Sequence, residues 1–473
     1  MSEPKRLHPI SAIISSLKQL KDLIIPFLVF VVFGGRNGLF QLIASAGVII
    51  LVLVIGILTW LKFTYRLEDG ELRIEYGVFV RKKRYIPFER IQSLDLSEGI
   101  LQRPFGLVKV KVETAGSSGE AEAVLTAISK SQANLIQQAL SSAKEAATLD
   151  EEEPIKAAEE KILYKISRKE LLLLASTSGG VGVVLSAIIA FVFQFEEIIP
   201  YERVFNGLEN FISSGLLVVS LLVFIGFLVA WVAALIGTMI KYAGFTVKKN
   251  EDDLIITRGL LEKRQLTIPM HRIQAIRISE NLIRQPFGLS TVYIESAGGS
   301  AADNESSREM LLPIAKRNDI AGILSPYLPE YNFETSVVTA PNRSLNRYLI
   351  RGFLYMLPIM AIFILFFRPW GYLSLILLIP AMAMSYLRFK DAGWKADKQQ
   401  LTLRYRTIIK NTVYMKRNRI QSLAMKESYF QNKKNLASIA ATVMSGSGGA
   451  GGSVVDLEKK DVEYIYEWYS YSK

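Results

Sequence analysis

IPFERIQSL at residues 86–94 and IPMHRIQAI at residues 268–276 are two versions of one phrase, and RIQSL at residues 419–423 is a third. Shortly after the first two come QRPFGL (residues 102–107) and its match RQPFGL (residues 284–289). Self-similarity at a fixed spacing marks duplicated structural units. Each copy follows a long apolar stretch, so the repeat sets the expected architecture: a membrane hairpin and then a polar module, three times over. The repeat itself names no reaction.

A chain of 473 residues has room for about three domains at roughly 150 residues each, which agrees with the repeat. Half of it is hydrophobic and the mean hydropathy is +0.25, a balance expected when much of a chain sits in lipid. Lys and Arg number 56 against 44 Asp and Glu, a formal charge of +12. The excess flanks the apolar segments, which points to a membrane surface and away from nucleic acid. There is no cysteine, so disulfide and thiolate chemistry are excluded. No cleavable signal is expected, because the N-terminal stretch is mixed polar and lacks a small-residue cleavage site.

Residues 39–61 carry no charge and as a helix would reach about 34 Å, against about 30 Å of bilayer core. Residues 171–193 and 212–240 are likewise uncharged, and a further apolar block surrounds Ser374 to Ala383. Two shorter candidates, Leu23 to Phe33 and Gly352 to Phe367, each hold a proline, Pro26 and Pro358. The first spans only if the preceding stretch with Leu17 and Leu20 lengthens it; otherwise it is re-entrant. Six helices in three hairpins are expected. Basic residues gather at the hairpin bases, Lys18, Lys21, Lys62 and Arg66, then Arg168, Lys169, Lys241 and Lys248, then Arg343, Arg347, Arg351 and Arg388. Cations are retained on the cytoplasmic side, so both termini and all three modules are expected there, in a multi-pass protein of a bacterial cell membrane. The divisions are a first hairpin (1–62), a module (63–145), an acidic linker (146–165), a second hairpin (166–242), a module (243–330), a linker with the third hairpin (331–388) and a module (389–473).

Within the modules the period changes to two. Leu72, Ile74 and Tyr76 alternate with Arg73 and Glu75, and Val108, Val110 and Val112 with Lys109, Lys111 and Glu113, the pattern of half-buried antiparallel strands. Val292 and Ile294, and Ile439 and Ala441, fall at matching places. Gly70, Gly77 and Gly259 mark turns that need positive φ. Helical stretches close the units at Lys130 to Ala143, Ala315 to Leu324 and Lys459 to Trp468. Six or seven short strands and one helix make a small β sandwich or open barrel with the helix over one end.

The paired apolar hairpin, the IP-x-x-RIQ strand, the QRPFGL turn and a following TAG or SAG (Thr114 to Gly116, Ser296 to Gly298) together resemble the bacterial pleckstrin-homology membrane proteins, in a triplicated arrangement. The resemblance covers essentially the whole chain. Its third copy departs: Lys433, Lys434 and Asn435 replace the proline, phenylalanine and glycine of the turn, and Lys416 stands where Pro87 and Pro269 stand. The resemblance implies a pleckstrin-homology-like fold, membrane residence and frequent partnership with a smaller membrane protein carrying one such module.

Arg81, Lys82, Lys83 and Arg84, with Lys263 and Arg264 in the second unit, are the candidates for contact with a headgroup or a partner. Two readings stay open for them: a grip on phosphorylated headgroups, or general attraction of about 1 kcal/mol per cation to an anionic leaflet. Arg90, Arg272 and Arg419 recur with Gln92, Gln274 and Gln421; a strand Gln usually satisfies backbone groups and an adjacent Arg packs its stem, so a structural role is expected. In the turn, Gly106 and Gly288 are expected to set the backbone while Phe105 and Phe287 plug the core.

Catalysis finds little support. Of two histidines, His8 lies in the N-terminal flank and His271 has Glu89 and Asn418 as counterparts, and no metal-ligand spacing appears. The run Ser445 to Ser453 lacks the Gly-Lys-Ser or Gly-Lys-Thr ending of a phosphate loop and reads as a flexible loop. The expected protein is a non-enzymatic membrane scaffold without cofactor, with envelope protection as its candidate role, whose partners are the bilayer, other copies or a smaller module-bearing membrane protein. A small permease component, or an anionic-lipid sensor, is the alternative; the confident spans hold no ionisable residue of the kind that marks transport paths.

Overall fold

Each of the three units opens with a short strand that precedes its hairpin, so the membrane segments are inserted into the β module rather than placed before it. The computed structural model describes residues 4–33, 38–114, 122–148, 161–178, 216–250, 253–296, 308–333, 336–366, 370–445 and 449–470. The first unit runs β1 (Lys5–Arg6), α1 (Ile10–Phe33), α2 (Gly38–Lys62), β2 (Thr64–Glu68), β3 (Glu71–Tyr76), β4 (Lys82–Pro87), β5 (Ile91–Glu98), β6 (Leu107–Thr114), β7 (Ala123–Ser129) and α3 (Lys130–Thr148). The second runs β8 (Lys161–Lys165), α4 (Arg168–Ser176), α5 (Leu216–Tyr242), β9 (Thr246–Asn250), β10 (Asp253–Arg258), β11 (Lys263–Pro269), β12 (Ile273–Glu280), β13 (Leu289–Ser296), β14 (Arg308–Lys316) and α6 (Ile320–Leu324). The third runs β15 (Val338–Thr339), α7 (Leu345–Phe366), α8 (Leu378–Asp391), β16 (Gly393–Asp397), β17 (Gln400–Arg406), β18 (Lys410–Lys416), β19 (Ile420–Lys426), α9 (Tyr429–Asn432), β20 (Leu436–Val443), β21 (Ala450–Glu458) and α10 (Lys459–Ser470).

The opening strands share one register. Arg6 faces Thr64, Lys165 faces Thr246 and Thr339 faces Gly393. Because the strands on either side of a hairpin pair directly, both ends of each hairpin lie on one side of the membrane. Lys161–Lys165, expected to be linker, is therefore a strand: Leu163 is buried in the second module's core, where it removes apolar area from water. The acidic residues 150–153, and Ala115, Gly116, Ala297 and Gly298 of the TAG and SAG tripeptides, lie outside the described residues.

Among the described residues, Phe224–Tyr242, Asn342–Phe366 and Gly371–Asp391 are helical stretches long and apolar enough to cross a membrane, and Ala46–Lys62 is a shorter apolar helix. The first candidate is longer than its apolar part suggests, since α1 starts at Ile10 and continues through Pro26 to Phe33. In the second hairpin, Ser167 and Glu170 form a capping box at the start of α4, satisfying two backbone donors reciprocally; the rest of that expected helix, residues 179–193, lies outside the described residues. The last apolar block is not one α-helix. Residues Trp370–Leu377 form a 3-10 run and α8 begins at Leu378. Pro380 has no N–H to give to a carbonyl four residues back and is tolerated only in the first turn of an α-helix.

Each core lies between two half-sheets. In the first module Leu72, Ile86, Leu94, Val110 and Leu125 meet beneath Ile136 of α3; burying each such side chain stabilises by about 1.5–3 kcal/mol. The expected alternation holds, with Val292, Ile294, Ile439 and Ala441 all buried. The helix expected from Ala315 shrinks to α6, because Ala315 belongs to β14 and faces Ser290 while Pro326 and Pro329 forbid continuation. Leu328, Tyr331 and Phe333 fill the space a longer helix would cover.

The third copy drifts in side chains and keeps its backbone. Asn435 takes φ +52 where Gly106 and Gly288 take +63 and +65, a left-handed conformation that Asn tolerates better than most residues. Lys416 sits at φ −75, ψ 143, close to Pro87 at −61, 137. The glycine run, expected to be a loop, is strand from Ala450 onward; residues 446–448 lie outside the described residues.

Candidate functional site: module joints and loop tips

The sheets do not respect the module boundaries. Their orders are β1-β2-β3-β4, β7-β6-β5-β11-β10-β9-β8, β14-β13-β12-β18-β17-β16-β15 and β19-β20-β21. Strand β5 of the first module pairs antiparallel with β11 of the second, and β12 of the second with β18 of the third. The register is the same at both joints. The glutamate eight residues after the RIQ arginine faces the lysine nine residues before the next one: Glu98 faces Lys263, and Glu280 faces Lys410. The second of these facing pairs is an ion pair of 3.1 Å. Side chains cross as well, Tyr414 entering the second module's core and Ala275 the third's.

Polar contacts lock the first joint. Arg264 donates to both oxygens of Asp95 at 3.0 and 3.1 Å and lies 3.7 Å from Glu309. Burial pushes the Glu309 carboxyl up to about 7, against the pull of Arg264 and Arg258. Burial also raises Glu113, which accepts a 2.6 Å hydrogen bond from Ser93. At the second joint Arg277, buried, donates from Nε to Glu295 at 2.7 Å and from Nη1 to the Tyr405 hydroxyl at 2.6 Å. Its Nη2 reaches the Gly451 carbonyl at 2.9 Å. A side chain on Gly452 would strike the Tyr405 ring at 2.8 Å, which accounts for glycine there. Ser279 donates to Asn411 at 2.8 Å.

The RIQ arginines belong to these joints. Arg419 donates to the His271 carbonyl at 2.7 Å and Arg272 to the Glu89 carbonyl at 3.5 Å, so each reaches the same point of the preceding module. Gln274 donates to the Arg272 carbonyl at 3.1 Å, satisfying the backbone as expected, whereas Gln421 is exposed; the Gln92 side chain lies outside the description. The repeat signature thus reports contact between modules as well as folding within one.

Two loops of every module carry apolar tips. Between β3 and β4 stand Phe79 and Val80, with Leu260 and Leu261, and Ile408 and Ile409, at the same turn of the other modules. Between β5 and β6 stand Ile100 and Leu101, Leu282 and Ile283, and Tyr429 and Phe430. Phe105 and Phe287, expected to plug the core, are 60% and 71% exposed and belong to this second row. Gly106 and Gly288 do take the left-handed turn conformation. The first-row tips of the second and third modules sit at the bases of their membrane helices. The Leu260 N–H bonds to the Ile240 carbonyl of α5 at 3.0 Å, and Arg388 of α8 donates to the Thr407 carbonyl at 2.9 Å.

The basic candidates do not converge on a headgroup pocket. Arg81 pairs with Glu75, which lies 3.7 Å from Lys83 as well. Arg84 donates to the Glu122 carbonyl and stacks on Tyr76. Arg264 is held in the first joint, while Lys82 and Lys263 are exposed. At the third hairpin the flanking cations are clamped to their module: Arg347 and Arg351 bind the buried carboxylate of Asp456 at 2.8 and 2.6 Å. The pairs Asp95–Arg264, Arg277–Glu295 and Arg351–Asp456 were not found by sequence reasoning. The recurring glutamate and lysine around RIQ were the available signal. Among the described residues no group of three or more His, Cys, Asp or Glu is gathered in the manner of a metal site.

A family model described as bacterial PH domain matches three times, over residues 20–144, 186–327 and 351–473. Over its whole length the chain is 40% identical to the transmembrane protein YdbT of Bacillus subtilis (strain 168), covering 99% of that protein. Over 81 residues, 17% of this chain, it is 28% identical to about half (51%) of the transmembrane protein YdbS of the same organism. Three sandwich modules, apolar helices at their bases and three matches in series lead to one assignment: the chain is a membrane protein of the bacterial PH-domain family.

Proposed function

We infer that this protein is a non-enzymatic scaffold that holds three PH-like modules against the cytoplasmic face of the membrane and assembles there with other module-bearing chains. The observation that carries this reading is strand pairing across module boundaries: the same edge-to-edge contact occurs twice within one chain. A module of this kind is built to be a neighbour. The basic flanks of the hairpins support the cytoplasmic placement. The single-module likeness to YdbS supports a smaller module-bearing protein as one class of partner. A second reading, a lipid-surface sensor, is favoured by the apolar tips beside the helix bases, since apolar loops flanked by cations suit an anionic interface.

The test is the mass of the full-length protein in mild detergent, with crosslinking in native membranes. An assembly, or a membrane partner bearing such a module, is expected. A strict monomer that crosslinks to no membrane protein would remove the scaffold reading. Altered sensitivity to membrane-active peptides on deletion is the physiological counterpart expected of a role in envelope protection.

A further inference from the structure

Among the described strands of the type that form the joints, two are left without a joint partner. β4 ends the first sheet and β19 begins the last. They are the two halves of the joint already seen twice: β4 corresponds to β11 and β18, and β19 to β5 and β12. We propose that β19 of one copy pairs antiparallel with β4 of a second copy in the register of the internal joints, linking chains head to tail. This deepens the scaffold reading and rests on it.

Counting from the RIQ arginines, that register sets Arg81 against Glu427, the same charge pair as Lys410 against Glu280 and Lys263 against Glu98. Lys83 then faces Met425, and Tyr85 faces Leu423. Both edges are open to receive a strand: Lys82, Lys83, Arg84 and Tyr85 are exposed, and Leu423 to Met425 are only half-buried. Leu266, Thr267, Val413 and Tyr414, the internal counterparts of Arg84 and Tyr85, are buried, as are Leu94 and Ile276, the counterparts of Leu423. A second, independent feature agrees. Arg272 and Arg419 each reach the backbone carbonyl just before the RIQ arginine of the preceding module. Arg90, exposed, belongs to the first of the three modules, and in the pairing its target is the Asn418 carbonyl of the neighbouring copy.

One pair opposes the contact. Lys82 falls opposite Lys426, where the internal joints carry Ser97 and Ser279. Like charges directly opposite weaken a strand pair, and lysines are a common guard on open edges. The contact between chains is therefore weaker than the joints within one, and reversible. Head-to-tail contacts of this type close into rings or run on as open assemblies.

The chain has no cysteine, so engineered thiols report without background. Two adjacent pairs, Lys83→Cys with Met425→Cys and Lys82→Cys with Lys426→Cys, include both kinds of antiparallel position. Each pair is split between two differently tagged full-length chains co-expressed in native membranes and then oxidised. Mixed-tag dimers from both pairs, and none from either single variant alone, are the expected result. Adding Lys426→Ser to the Lys83/Met425 pair should raise the crosslinked fraction about two-fold, the effect of removing one facing like-charge pair. Dimers of Lys83→Cys with itself overturn the proposed register. An assembly by mass without the mixed-tag crosslinks overturns the edge pairing and leaves the scaffold reading standing. A monomer by mass without crosslinks overturns both.

Discussion

At the first joint the upstream strand contributes a carboxylate, Asp95, which receives Arg264 from the downstream module; five residues after the RIQ arginine in the second copy, the same position is Arg277. That arginine turns to Glu295 of its own module and to Tyr405 and Gly451 of the next. The charge has changed sign and the register has not moved. The constant element is the backbone ladder with its flanking Glu and Lys, and the buried polar groups are local solutions fitted around it. The joints also differ in dryness. The Arg277 and Glu295 side chains are 4% and 2% exposed, against 21% for Arg264.

That contrast orders the expected effects. Glu295→Ala strands a buried guanidinium and should cost roughly 3–5 kcal/mol, read as a lowered midpoint of thermal unfolding in detergent. Asp95→Ala should cost less, about 1–3 kcal/mol, because Arg264 is partly wetted and Glu309 is 3.7 Å away. Equal losses at the two positions would mean that solvent does not distinguish the joints. A smaller effect separates them by pH. Glu309, at the first joint only, is raised to about 7 by burial, with Asp95 and Glu113 adding to the rise and Arg264 and Arg258 opposing it. In that window the folded protein keeps a proton that the unfolded chain releases, so stability falls as pH rises from the ordinary carboxylate range, about 4.5, through about 7. Glu309→Gln should flatten this fall and leave the protein more stable than wild type at pH 8. A wild-type unfolding midpoint that rises over the same window would contradict the assignment. Smallest for stability is Phe79→Trp on the exposed tip, within about 0.5 kcal/mol. Its fluorescence in proteoliposomes should nonetheless be quenched by brominated lipids, and an unquenched tip would take the β3–β4 loops away from the bilayer.

The repeat, the hairpins, the alternating strands and the turn glycines could all be read from the chain, because each is written within a continuous stretch of sequence and needs no knowledge of what packs against it. What could not be read is which strand lies beside which. β5 looks like any half-buried strand, and nothing in Ile91–Glu98 says that its neighbour is β11, more than 160 residues away. Phe105 and Phe287 were misplaced for a related reason. Apolar residues flanking Pro and Gly are core plugs in a water-soluble domain, but next to a bilayer the outside is also an apolar solvent. Lys433, Lys434 and Asn435 replace the turn's proline, phenylalanine and glycine, yet the backbone is kept, since Asn435 can take the glycine's φ.

Because β1, β8 and β15 are made before their hairpins and are completed by strands made after them, no module can close until its hairpin has gone into the bilayer and come back. A hairpin threaded only once would leave the opening strand stranded on the far side, its partner strand bare and a sheet edge exposed. Closure of each module is therefore tied to the return of its own hairpin to the side on which the opening strand waits.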